Sequence, residues 1–430
     1  MITETLPGEH GAVKRTVLPN GVRVVSETMP WLQSETVGIW VDSGSRDETP
    51  LTAGSTHFLE HMLFKGTRSH DARQIAEAFD RTGGESNAAT SKEYTCYYSR
   101  TPVSDLPQVV DLLWEMVLDS QLDPAEFERE RGVIIEEIAM DADDPTDVLF
   151  ETFDSVVYAD HPLGRPIGAT KDQIARLEHS VLLDHYAHAY VGPRLTFAAA
   201  GGAAHEALVE QVLAATSALP PVETDARTTG ADLGRTAPVF HGGVHHVHRA
   251  TEQQGIVIGM PGLPDGDEDR YTFSVLYSLL GGGMSSRLFQ TVREEHGLAY
   301  NVHAIGSRYQ DVGQFGVYAG CSPDKAQAVI DLCVAELERL ATERPGENEV
   351  ADVISQAAGS TLLGLESSAA RMNRLARWEM SGREYETPEQ ALARVREVTA
   401  QDVSDLAARL CSGTRALVTL GPAEGLHLPG

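Results

Sequence analysis

Two histidines and a glutamate in Ser55-Thr56-His57-Phe58-Leu59-Glu60-His61-Met62-Leu63-Phe64-Lys65-Gly66-Thr67 have the spacing of a metal site. On a helix, His57 and His61 stack one turn apart, and imidazoles at i and i+4 form a ready pair of Zn2+ ligands. Glu60 directly precedes the second histidine, the inverse of the order in which the carboxylate follows the first. Either order puts a carboxylate beside the ion, where it can take a proton from an attacking water. Leu59, Met62 and Leu63 share a different face, so the helix can bury one side and offer the other to chemistry. Ser55 or Thr56 is the expected cap, and Gly66 the expected stop. Two histidines on a polar helix face by chance is the competing reading, and a catalytic zinc needs a third protein ligand.

That ligand has a source in the acidic stretch from Pro124 to Ile138. Glu130, Ile134 and Glu137 are spaced i, i+4, i+7, and Phe127 and Ile138 extend the same face, which therefore points inward. Glu136 neighbours Arg129 and Gly132 on a more polar side. Glu137 is the candidate third ligand, with Glu130 supporting the site or aiding proton transfer. A solvent-facing acidic helix is the ordinary meaning of Glu-Glu and remains the alternative at this point.

These residues resemble a known family. His57-Phe58-Leu59-Glu60-His61-Met62-Leu63-Phe64-Lys65-Gly66-Thr67 looks like the signature of the inverzincin peptidases, the pitrilysin and mitochondrial-processing-peptidase family. In that family the third ligand is a glutamate on a distant helix. Glu137 lies 76 positions beyond His61, and Val133-Ile134-Ile135-Glu136-Glu137 is similar to that helix. Glu130 matches a glutamate that supports catalysis there. Gly83-Gly84-Glu85-Ser86-Asn87-Ala88-Ala89-Thr90 resembles the turn and strand at the family's cleft, which implies substrate binding at Asn87, Ala88 and Ala89. Thr196–Gly202 resembles the strand closing the first domain.

The second half has no His-x-x-Glu-His of its own, so it reads as a substrate-holding partner. Gly281-Gly282-Gly283 precedes a helix capped by Ser285 or Ser286 and ended by Gly297, but no Lys-Ser/Thr follows as a phosphate loop requires. Arg293 sits in the last turn, where a cation also offsets the helix dipole, and Tyr300 starts a strand. The resemblance implies that Arg293 and Tyr300 reach the bound peptide, with the Tyr hydroxyl donating to a developing oxyanion. His241, His245, His246 and His248 cluster, but on a strand His246 and His248 face opposite to His245 and do not converge. No Gly-x-Ser-x-Gly elbow and no recognisable nucleophilic cysteine motif is present.

These residues need rigid elements to hold them. Strand, capped helix, turn and helix recur in both halves: Tyr94–Arg100, 106–118 and from Pro124, then Gly313–Gly320, Lys325–Ala341 and from Glu347. Alternating segments at Val22–Ser26 and Thr36–Val41 add strands. The expected fold class is α+β, with two homologous domains, each a sheet with helices packed on it. The expected boundaries are 1–218 for the zinc-binding domain, 219–236 for a linker rich in Pro, Thr, Gly and Asp, and 237–430 for its non-zinc relative.

Composition supports this frame. The chain has 430 residues, 34 Lys plus Arg against 63 Asp plus Glu, and a net charge of −29. That balance argues against nucleic acid and against an anionic membrane surface. No apolar run is long enough to cross a membrane. Met1–Thr5 lacks a basic region followed by an apolar run, and the four cysteines are scattered, so a cytoplasmic location is expected. The expected activity is zinc-dependent endopeptidase hydrolysis of unfolded or presequence-like peptides, with one Zn2+ per chain. The resemblance to half-length members implies a homodimer enclosing a chamber. The alternatives are a non-catalytic core subunit of the same fold, or a subunit that needs a different partner chain.

Overall fold

The computed structural model describes residues 1–8, 13–222 and 233–429, so residues 223–232 of the expected linker lie outside the described residues. In chain order, the first half runs β1 (Ile2–Leu6), β2 (Val13–Val17), β3 (Arg23–Thr28), β4 (Ser34–Val41), α1 (Ser55–Met62), α2 (Ala72–Arg81), β5 (Glu85–Thr90) and β6 (Thr95–Pro102). It continues with α3 (Leu106–Asp119), α4 (Pro124–Asp143), α5 (Pro145–Tyr158), α6 (Lys171–Arg176), α7 (His179–Ala189), β7 (Leu195–Gly201) and α8 (His205–Ala215). The second half contains β8 (Gly243–His248), β9 (Gln254–Gly262), α9 (Arg270–Gly281), β10 (Ala299–Arg308), β11 (Gly313–Cys321) and α10 (Ala326–Thr342). It ends with α11 (Glu347–Gly364), α12 (Ser368–Ser381), α13 (Pro388–Arg396), α14 (Ala400–Cys411) and β12 (Ala416–Gly421).

Two sheets result, and their topology demonstrates the repeat of pattern. The first has the order β1-β2-β3-β7-β4-β6-β5 and the second β10-β11-β9-β12-β8. Read from the other edge, β8-β12-β9-β11-β10 reproduces β3-β7-β4-β6-β5 strand for strand. The directions agree too: β3–β7 and β8–β12 are parallel, and every other matched pair is antiparallel. The fold is α+β, as the alternation of segments implies.

Both faces of each sheet are covered, which explains why the central strands read as nearly continuous apolar runs. In β4, Val37, Ile39 and Val41 pack into the core under α1 and α3, while Trp40 points into a cluster on the opposite face. Phe197 and Ala199 of β7 face the first core, and Ala198 and Ala200 the second. The period-2 alternation therefore sorts residues between two cores rather than between core and water.

The helix covering each second face comes from the other half of the chain. One compact unit comprises Met1–Ala139, Pro166–Arg235 and Leu363–Thr387, and the other Met140–Arg165, Thr236–Leu362 and Pro388–Gly430. Thus α12 completes the first sheet through Met372, Leu375 and Ala376, and its buried Glu379 pairs with Arg15 at 2.8 and 3.0 Å. In return, α5 lays Leu149, Phe153 and Val157, an i, i+4, i+8 stripe, on Val257, Val418 and Leu420 of the second sheet. Gly259 makes room for it, since a Cβ there would lie 2.1 Å from the Phe153 ring. The contiguous stretches 1–218 and 237–430 each carry a helix that packs in the other compact unit, α5 in the first stretch and α12 in the second. Hydrophobic periodicity reports that α5 and α12 are amphipathic without saying which sheet each covers.

Candidate metal centre

The start of α1 is fixed from outside the helix. Gly54 forms the N-cap at φ 86, a left-handed conformation that glycine adopts without strain, and a Cβ there would lie 2.5 Å from Ile174. Neither Ser55 nor Thr56 caps the helix as expected, because Ser55 Oγ instead meets His185 Nδ1 at 2.9 Å. The buried carboxylate of Glu48 takes the capping role, accepting from Gly54 N–H at 2.9 Å and Thr56 N–H at 2.7 Å. An anion at this end also opposes the helix dipole. The helix stops at Met62, with Leu63 as its C-cap, before Gly66 is reached.

Phe58, Leu59 and Met62 are fully buried, anchoring α1 against the sheet, while the opposite side presents His57, Glu60 and His61. Glu48→Ala is expected to cost about 1–3 kcal/mol of stability, the range for a lost cap and for hydrogen bonds to a charged group. A fall in the thermal midpoint of the metal-free chain checks this, and an unchanged midpoint would remove Glu48 from the account.

His57, His61 and Glu137 converge, each offering a ligand atom within 4.8 Å of the others. The two Nε2 atoms face each other at 3.2 Å, and Glu137 Oε2 lies 3.8 Å from His57 Nε2 and 3.5 Å from His61 Nε2. A tetrahedral zinc with bonds of 2.0–2.2 Å holds its donors about 3.3–3.6 Å apart, so this set fits the ion. Glu137 Oε2 is buried with no hydrogen-bond partner among the described residues, as a ligand oxygen awaiting a cation would be. Burial, assisted by the neighbouring His61, lowers the His57 pKa to about 4, keeping its imidazole neutral and able to ligate. Glu136, the alternative, is exposed one residue away.

Glu130 sits behind the ligands on α4. His61 Nδ1 donates to Glu130 Oε1 at 2.8 Å, and Lys65 Nζ lies 2.7 Å from Glu130 Oε2. That contact puts the proton on Nδ1 and leaves the Nε2 lone pair free for a metal, the usual carboxylate–histidine arrangement. Burial alone would raise the Glu130 pKa, but hydrogen bonds from His61 and Lys65 outweigh it and hold the carboxyl below its ordinary range. Glu60, by contrast, is pushed upward by burial, against an opposing hydrogen bond from Thr90 Oγ1.

Thr90 ends β5, the edge strand of the first sheet, which carries Asn87, Ala88 and Ala89 opposite Tyr98, Tyr97 and Cys96. Ala88 N–H is bonded to Asn87 Oδ1 at 2.8 Å, which places it on the open edge rather than in the ladder with β6. The strand expected to bind substrate thus has an unpaired backbone side, and its end touches the candidate base.

In the second unit, Arg293 and Tyr300 are brought together: the guanidinium carbon stands 4.7 Å from the Tyr300 ring centre. Arg293 lies on a π-helical segment, Phe289–Glu295, that the sequence pattern did not distinguish from an ordinary helix. The histidine cluster does not converge. His246 Nδ1 meets Thr419 Oγ1 at 2.8 Å, His248 pairs with Glu424 at 3.3 Å, and neither joins a ligand group among the described residues. All four cysteines are buried and unpaired with one another.

Sequence reasoning missed Glu48, Thr90 and the work of Lys65. Lys65 follows His61 by four residues, a spacing that could have flagged it. Glu48 and Thr90 reach the site only through tertiary folding.

Comparison with known proteins gives a consistent picture. Residues 23–171 match the family described as insulinase (peptidase family M16), and residues 176–357 match the peptidase M16 inactive domain. The chain is 43% identical to an uncharacterized zinc protease of Streptomyces coelicolor, covering 98% of this chain and 93% of that one. It is 35% identical to the uncharacterized zinc protease YmxG of Bacillus subtilis, covering 96% of this chain and 99% of that one. Its fold is similar to that of a peptidase M16 inactive domain from Pseudomonas fluorescens, with TM-score 0.87, 18% identity, and 97% and 100% of the two chains covered. A protease from Helicobacter pylori gives TM-score 0.87 at 21% identity, with 96% and 100% covered.

Proposed function

The chain belongs to the insulinase-type peptidase family M16, and from that premise we propose that it is a zinc-dependent endopeptidase acting on unfolded peptides. The observation that carries the reading is the convergence of His57, His61 and Glu137 on one ligand set, with Glu60 beside it and Glu130 behind it. When bound, zinc supplies Lewis acidity that makes water nucleophilic at neutral pH and polarises a peptide carbonyl.

The chain's own groups do the rest. His57, His61 and Glu137 hold the ion, and Glu130 orients His61 through Nδ1. Glu60 takes the proton of the attacking water and passes it to the leaving amine. Thr90 fixes the Glu60 carboxylate through its hydroxyl. The open edge of β5, at Asn87, Ala88 and Ala89, adds the substrate as an extra strand, so main-chain hydrogen bonds provide affinity with little demand on sequence. Arg293 and Tyr300 hold the peptide and donate to the developing oxyanion.

No helix among the described residues is long and apolar enough to cross a membrane. With one metal-ligand group among its described residues, the protein is expected to work as a homodimer enclosing a chamber that admits unfolded peptides and excludes folded proteins. Light scattering at micromolar concentration is expected to give the mass of two chains; the mass of one chain would remove the chamber from the account. The zinc-loaded chain alone is expected to cleave unfolded oligopeptides. A chain that binds zinc but cleaves none of them would instead be a core subunit or need a different partner.

A further inference from the structure

The segment 42–48 runs from the end of β4 towards α1, where its last residue, Glu48, caps the helix. It carries three carboxylates, with Asp42 and Glu48 buried and Asp47 half-buried. Against it packs the turn 91–94, which follows Thr90 and leads into β6. The two segments are joined by their backbones: Ser45 N–H donates to Ser91 O at 3.1 Å, and Arg46 N–H to Lys92 O at 2.7 Å. A Cβ at Gly44 would lie 2.4 Å from Lys92 O, so the approach requires glycine there. A cation from far along the chain spans both segments. Arg235, within the expected linker and the last residue of the first compact unit, has a side chain only 6% exposed. Its Nε and Nη2 donate to the two oxygens of Asp47 at 2.8 and 2.7 Å, and Nη2 also donates to Glu93 O at 2.8 Å. Asp42 Oδ1 lies 3.4 Å from the same nitrogen. Burial works against this charge, but Asp47, Asp42 and Glu93 outweigh it and hold the guanidinium pKa above its ordinary range.

A residue that merely fastened the linker could pair with any surface acid. A rigid fork shared between the Asp47 carboxylate and the Glu93 carbonyl instead ties two segments in one geometry. Each segment adjoins a working part of the site. One ends on the cap of α1, which bears His57, Glu60 and His61; the other follows Thr90, which bonds Glu60 from the end of β5. We propose that Arg235 is a positioning residue, which fixes α1 against β5 and so sets a peptide on the β5 edge against the metal ligands and the base. The inference rests on the peptidase reading above and adds to it a residue, remote in sequence, on which the rate depends. The metal ligands lie on α1 and α4, so their convergence does not pass through this tie.

Steady-state cleavage of an unfolded oligopeptide by zinc-loaded full-length variants tests this, with zinc content and thermal midpoint measured on the same preparations. Arg235→Met alone leaves Asp42 and Asp47 without their counter-charge, which can unfold a protein. Arg235→Met combined with Asp42→Asn and Asp47→Asn removes all three charges together, a replacement that buried ion clusters often tolerate. In this triple variant kcat is expected to fall about 10–100-fold with KM nearly unchanged, the scale of a ~1 Å misplacement of bound substrate, while zinc stays bound. Arg15→Met, which breaks the buried pair with Glu379, controls for lost stability: it is expected to lower the midpoint and leave kcat near the wild-type value. A wild-type kcat in the triple variant, or an equal fall in Arg15→Met, overturns the positioning role and leaves the peptidase reading intact. A change confined to KM, or loss of zinc from the triple variant, overturns it as well. A wild-type chain that cleaves no peptide overturns both.

Discussion

Glu60→Gln is expected to slow peptide cleavage by about 10²–10⁴-fold, the usual contribution of a positioned general base, while zinc stays bound. The amide keeps the shape of the carboxylate and can still accept from Thr90 Oγ1, so the local structure should survive. It cannot take the proton of the attacking water or pass it on to the leaving amine, which together are the role assigned to Glu60. His57, His61 and Glu137 do not depend on it for their convergence. Initial rates and metal content measured on the same preparation check the result. Cleavage at the wild-type rate would remove Glu60 as the base, and loss of zinc along with cleavage would make it a structural member of the site.

His61→Ala is expected to abolish both zinc binding and cleavage, because it has two consequences. It removes one of three ligands, and it also strips the hydrogen bond that the buried Glu130 receives at 2.8 Å. Losing only an outer partner of a ligand costs roughly 10–100-fold in affinity, so Glu130→Gln marks the lower bound and His61→Ala must exceed it. Glu136→Ala is the matching control and should keep zinc, since its exposed side chain lies away from the ligand set. Zinc titration of the three variants orders them, and a Glu136→Ala chain that loses metal would reverse the choice between the adjacent glutamates.

Much of this was legible in the sequence because local spacing carries it. The i, i+4 histidines and the i, i+4, i+7 face of α4 are properties of helices, and helical periodicity survives folding unchanged. The strand–helix–helix order in each half likewise pointed to the duplicated α+β design that the two sheets share. What local pattern cannot encode is partner choice between distant segments. The exchange of α5 and α12 between units leaves each helix as amphipathic as an unexchanged one would be. Glu48 was missed for a related reason: Ser55 and Thr56 are better N-caps by type, but His185 engages the Ser55 hydroxyl and a buried carboxylate from an upstream loop takes the helix end. The π-helical turn bearing Arg293 has no side-chain pattern that distinguishes it from an α-helix.

The central claim is that His57, His61 and Glu137 form a single zinc site. X-ray absorption at the zinc edge of the loaded wild-type chain tests it most directly. The account predicts about one zinc per chain, two imidazole nitrogens and additional oxygens at about 2.0–2.2 Å, and no sulfur, since zinc–thiolate bonds fall at about 2.3 Å. A sulfur shell, fewer than two imidazoles, or no bound zinc at all would contradict it.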